Sequence, residues 1–94
     1  MTLTAESPPA WLDAVHRVAL LTPREREVFL LLAEAPSNQE IADRLIVTER
    51  TVRAHLAVVL SKLHVRGRMQ ACLASLAFRT PELQTLSDPT RPRS

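Results

Sequence analysis

Three helix-start signals fall within 27 residues, and their spacing limits what this chain can fold into. In "LTPREREVFLLLAEAP", Thr22 can cap a helix, Pro23 suits its first turn, and Glu25 completes a Thr-x-x-Glu capping box. In "SNQEIADRLIV", Ser37 and Glu40 repeat the box. In "TERTVRAHLAVVLSKL", Thr48 is a third cap, and Glu49 stands where the helix dipole favours an acid. The middle helix can therefore hold only about nine residues before the next cap. A short helix, a three-residue break "IVT" and a longer helix make a helix-turn-helix candidate. The 94 residues contain one Gly, and no β-branched run alternates over the length of a strand, so the expected class is all-α.

Apolar spacing gives each helix a face. In "TAESPPAWLDAVHRVALL", a short helix entered through Pro9 would align Trp11, Leu12, Val15 and Val18 or Ala19. It serves either as a cap on the core or as a dimerisation or linker helix. Val28, Leu31, Leu32 and Ala35 share the next face, which Pro36 should end at about Ala35. Ile41, Ala42 and Leu45 point inward from the short helix. Val52, Leu56, Val59, Leu60 and Leu63 form a stripe on the long one, opposite Arg50, Arg53, Ala54, Ala57 and Ser61. In "RMQACLASLAF", Met69, Cys72, Leu73 and Leu76 are expected to pack inward. Ala71, Ala74, Ser75 and Phe78 would leave a face of mostly small side chains for a partner. The expected organisation is an N-terminal extension with a short helix (1–21), a helix-turn-helix domain (22–79) and a flexible tail (80–94) marked by Pro81, Pro89 and Pro92.

The net charge is only +2, but its distribution is uneven. From Arg24 to Glu49 there are six acids and three bases, whereas after Glu49 the stretch to Arg68 holds Arg50, Arg53, Lys62, Arg66 and Arg68 and no acid. A local stripe of this kind sets the field at a surface whatever the net charge. Other chemistries lack their residues. Cys72 stands alone, and His16 and His64 show no ligand spacing, so neither a disulfide framework nor a metal site is expected. With one Gly, a G-x-S-x-G nucleophile motif is not possible, and Glu25 and Glu27 read as a cap and a solvated charge. The expectations are no enzyme, no cofactor, no membrane span and a cytoplasmic location.

The marks "LTPREREV", "SNQEIADRL", "TERTVRAHL", "KLHV" and "RMQA", in that order over roughly residues 20–79, resemble the DNA-binding domain of LuxR-type (GerE-type) transcriptional regulators. The resemblance implies a four-helix helix-turn-helix bundle, here with an additional short N-terminal helix. It places the long helix (about 49–63) in the major groove of double-stranded DNA and implies a homodimer on two half-sites, often formed through the last helix. Arg53 can reach a guanine edge bidentately or a phosphate, and Ala54 and Ala57 match base-facing positions of the family, with Ala54 suited to a thymine methyl. The expected phosphate contacts are Asn38, Gln39, Thr48, Arg50, Thr51, His55, Lys62, Arg66 and Arg68. His55 is expected to be partly buried, and the expected dimer surface is Ala71, Ala74, Ser75 and Phe78. The chain also departs from the family pattern. Gln39 stands where many relatives have a base, Ala35–Pro36 replaces a common Gly, and Gly67 replaces a helix cap and should let the last helix fray. Ala57 stands where some relatives carry a long polar side chain. Met1 lies only about twenty residues ahead of the domain, so the chain reads either as a free-standing small regulator or as an excised output domain. Two alternatives follow: an interaction module that sequesters a related regulator, and a sigma-like promoter reader that works with RNA polymerase.

Overall fold

The structure is a computed structural model and describes residues 10–80. The expected Pro9 helix start and the tail from Pro81 onward lie outside the described residues. Among the described residues every regular element is helical. The first, α1, is an α-helical turn at Ala10–Asp13 that tightens into a 3₁₀ helix over Ala14–Leu20. Then come α2 (Pro23–Leu31, ending in a 3₁₀ turn at Leu32–Glu34), α3 (Asn38–Leu45), α4 (Glu49–Leu63) and α5 (Arg68–Arg79).

Both capping boxes form. The Glu25 amide donates to Thr22 Oγ1 at 3.2 Å and the Thr22 amide to Glu25 Oε1 at 2.9 Å. At α3 the Glu40 amide donates to Ser37 Oγ at 3.1 Å and the Ser37 amide to Glu40 Oε1 at 2.7 Å. Thr48 Oγ1 accepts from the Thr51 amide at 3.1 Å. Each pairing satisfies amides that the first turn of a helix leaves without intrahelical partners.

The helix ends are less ordinary. Ala35, Ile46 and His64 close three successive helical segments in left-handed backbone geometry, at φ 53°, 57° and 59°. After α3 and α4 the chain closes in the Schellman manner: the Val47 amide reaches Ala42 O at 3.0 Å, and the Val65 amide reaches Leu60 O at 3.2 Å. None of the three is glycine, the residue that suits this geometry best.

One core unites the described elements. Ala14 and Val18 of α1, Val28, Phe29 and Leu32 around α2, Ile41 and Ala42 of α3, and Val52, Val59 and Leu63 of α4 are all buried within it. Ala71 and Ala74 of α5 complete it. Phe29, absent from the expected face of α2, is fully buried with its ring edge-on to Phe78, centroids 5.9 Å apart. Ala35, expected inside, is exposed, because the left-handed turn carries it out of the helix.

The two faces of α5 are inverted relative to the expectation. Ala71, Ala74 and Ser75, assigned to a partner surface, are fully buried inside this chain, and Phe78 packs on Phe29. Met69, Leu73 and Leu76, expected inside, are exposed at 76%, 39% and 41%. The reason is backbone proximity. Ser75 Oγ donates to the Leu30 carbonyl at 3.3 Å, so α5 runs close against the end of α2, where there is room only for small side chains.

Candidate nucleic-acid interface

The helix-turn-helix is formed by α3, the turn Ile46–Thr48 and α4. The turn holds because Thr48 caps α4 while Val52 and Ile41 are both buried beneath it. At 15 residues, α4 is about 22 Å long. Val52, Leu56, Val59 and Leu63 bury one side of it. The other side is open: Arg50, Arg53, Ala54, Ala57, Val58 and Ser61 are exposed. Arg53 has only a loose pairing with Glu49, at 3.8 Å and with its own side chain largely in solvent, so its guanidinium is available to a ligand.

At the start of α4 the Thr48 hydroxyl donates to Thr51 Oγ1 at 3.1 Å. Thr51 therefore keeps its own hydroxyl proton for an outside acceptor such as a phosphate oxygen. His55 is half-buried on the flank of the helix.

The expected phosphate ligands separate into two groups. Arg50 and Arg66 are exposed and form no ion pair among the described residues. Lys62 and Arg68 are engaged inside the chain. Lys62 Nζ donates to Glu25 Oε1 at 2.8 Å, tying α4 to the capping box of α2. Glu25 is held below the usual carboxylate range, chiefly by the Lys62 hydrogen bond and then by the Thr22 amide. The Arg68 guanidinium donates to Asn38 Oδ1 and to the Pro36 carbonyl, fastening the start of α5 to the start of α3. Gln39 Nε2 donates to Asp43 Oδ1 at 2.8 Å, along α3 itself. Gly67, in extended geometry, supplies no side-chain cap, but the Gln70 side chain accepts from the Arg66 amide at 2.8 Å beside it.

The sequence reasoning missed Val58 on the open side. It belongs neither to the apolar stripe nor to the opposite face named from the sequence, and it is 39% exposed next to Ala54 and Ala57. Its signal was helical spacing, since Val58 follows Ala54 by four residues, about one turn. A cleft of about 310 Å³ between the end of α2 and α3 is lined by Glu34, Glu40, Asp43 and Arg44 with Leu31, Pro36 and Ile41. Its carboxylates suit no phosphate. Among the described residues no group of acids, histidines or cysteines could hold a metal, and no helix is long and apolar enough to cross a membrane.

A helix-turn-helix whose second helix buries one side and offers two arginines on the other has the build of a DNA-binding domain. Residues 19–75 match the family model described as "Bacterial regulatory proteins, luxR family". The chain belongs to this family. It is 47% identical over 64 residues to the spore germination protein GerE of Bacillus subtilis, covering 68% of this chain and 86% of that one. It is 48% identical over 54 residues to the response regulator protein VraR of Staphylococcus aureus, covering 57% of this chain but only 26% of VraR. No solved structure matches.

Proposed function

We propose that the chain is a sequence-specific DNA-binding transcriptional regulator whose α4 lies in the major groove. One observation carries this reading above the others. The buried stripe of α4 leaves Arg50, Arg53, Ala54, Ala57 and Ser61 together on its open side, in a domain of the luxR family. Arg53 is the base reader, suited to the O6 and N7 of guanine, and Ala54 and Ala57 stand beside it. Thr51, Arg50 and Arg66 are the phosphate contacts that the geometry leaves open; Thr48 serves chiefly as the cap. The protein acts as a homodimer on two half-sites. Its self-association surface is the exposed face of α5, Met69, Leu73 and Leu76, in place of the buried small-residue face.

Binding to random duplex DNA over a salt series tests the reading. Affinity should fall steeply with salt, because each phosphate neutralised releases counterions with a slope of roughly 0.9 per contact. No binding to random or selected DNA at low salt would refute it.

The internal bonds of Lys62 and Arg68, with Gln39 in place of a base, favour one other reading: an interaction module with reduced DNA contacts that pairs with a related regulator. It gains support if the purified chain forms a mixed dimer with a family member and abolishes that partner's DNA binding.

A further inference from the structure

Viewed down α4, the open side carries three apolar side chains, with Arg50 and Ser61 among them. At about 100° per residue, Ala54 lies about 170° from the middle of the buried stripe, with Ala57 and Val58 on either side of it. Arg50 falls between Ala57 and Ala54, and Arg53 stands at the edge beyond Ala57. All five are exposed, Val58 at 39%. From Ala54 to Val58 the patch spans about 6 Å along the helix, against a base-pair rise of about 3.4 Å.

We infer that Val58, together with Ala54 and Ala57, is a specificity-determining patch that packs on the C5 methyl group of a pyrimidine in the major groove. The protein thereby selects a thymine, or a 5-methylcytosine, near the base read by Arg53. This rests on the DNA-binding reading above, in which a thymine methyl is expected for Ala54 alone, and extends it to Val58, a residue that reading does not include. Three arguments favour a base methyl as the occupant. The patch is interleaved with Arg50 and bordered by Arg53, and burying both guanidiniums in a dry protein contact would leave their charges without partners. Phosphates on either side of a groove supply those partners. The patch is also three small side chains, far below the ~800 Å² per partner of a standard protein interface, while one methyl group needs no more. A thymine methyl is the apolar group that the major groove offers, and a branched side chain such as Val meets it without competing for hydrogen bonds.

The test uses the full chain. A selected-site experiment first gives the half-site, and each thymine in it is then replaced singly by deoxyuracil, which keeps its base pairing and lacks only the methyl. For the wild type, one or two positions per half-site should lose about fourfold in affinity, the value of one buried methyl. At such a position, 5-methylcytosine should bind better than cytosine. V58A should bind the thymine site more weakly and bring the thymine-to-uracil ratio at one position close to one. Helical circular dichroism should be unchanged, because the side chain is outside the core. Site-specific binding with every thymine-to-uracil ratio near one would overturn the inference and leave the DNA-binding reading intact. So would a V58A protein that keeps the wild-type ratio. Absence of any site-specific binding would overturn the DNA-binding reading itself, and the inference with it.

Discussion

Glu25 Oε1 accepts the Thr22 amide at 2.9 Å and Lys62 Nζ at 2.8 Å, so one carboxylate both starts α2 and holds α4 against it. Its pKa lies below the ordinary glutamate value of 4.5, so the stabilisation is present above that value and is lost as pH falls through the lowered one. Thermal unfolding followed from about pH 6 down to pH 3 should show this loss. E25Q, which can still cap but has no charge to pair, should be less stable at neutral pH and lack that part of the acid dependence. On the surface proposed to face DNA, Arg53→Ala should weaken specific binding by about 1–3 kcal/mol and relax one position of the site. Mobility shifts on a panel of single-base variants check both effects, and an unchanged panel would remove Arg53 from the reading surface. Lys62 and Arg68 show what residue type alone conceals. As letters they match phosphate contacts, but whether a cation is available depends on long-range partners, 37 and 30 residues away, that spacing along the chain does not reveal.

The elements were legible where local chemistry decides them. The capping boxes at Thr22 and Ser37 and the cap at Thr48 set the starts of α2, α3 and α4, and the apolar stripe of α4 set which side faces out. On α5 the same method failed. It carries two apolar stripes, one of large and one of small side chains, and periodicity cannot tell which is inside. Size sorted them in the wrong direction, because the neighbouring backbone at Leu30 leaves room only for Ala and Ser. The choice of probe for self-association reverses accordingly. Ala74→Glu would bury a charge at a fully enclosed position and should unfold the domain, whereas Leu73→Glu, at a position already 39% exposed, should leave it folded. Sedimentation should then show Leu73→Glu as a folded monomer where the wild type is a dimer. The turn between α3 and α4 allows a gain instead. Ile46 is β-branched, left-handed at φ 57° and 89% exposed, so its side chain contributes little burial. Left-handed geometry costs an L-residue about 1–2 kcal/mol, and glycine gives back roughly 0.5–1 kcal/mol in backbone entropy. I46G should therefore stabilise by up to about 1.5 kcal/mol, readable as a shifted denaturant midpoint with an unchanged slope.

At the scale of the whole molecule, α1 packs through Ala14 and Val18 into the core that also holds the helix-turn-helix. Polar ties cross the same body: Lys62 to Glu25, Arg68 to Asn38 and Pro36, and Ser75 and Arg79 to the Leu30 carbonyl. The left-handed residues Ala35, Ile46 and His64 bear on how such a body comes apart. Where glycine ends a helix, the chain prefers the bend even when the rest of the protein is absent. Here each bend runs against the preference of its own residue and persists because distant packing over-determines it. The angle between α3 and α4 is therefore set by the packing of the complete domain as well as by the turn. Native-state hydrogen exchange should find α3 and α4 opening together with α2 and α5 in one event, with no partially unfolded form that retains a competent recognition helix. Such a protein is either wholly able to engage its target or wholly unable, and a modest loss of stability anywhere in the body would reach the surface proposed to face DNA as a change in the number of active molecules rather than in the affinity of each.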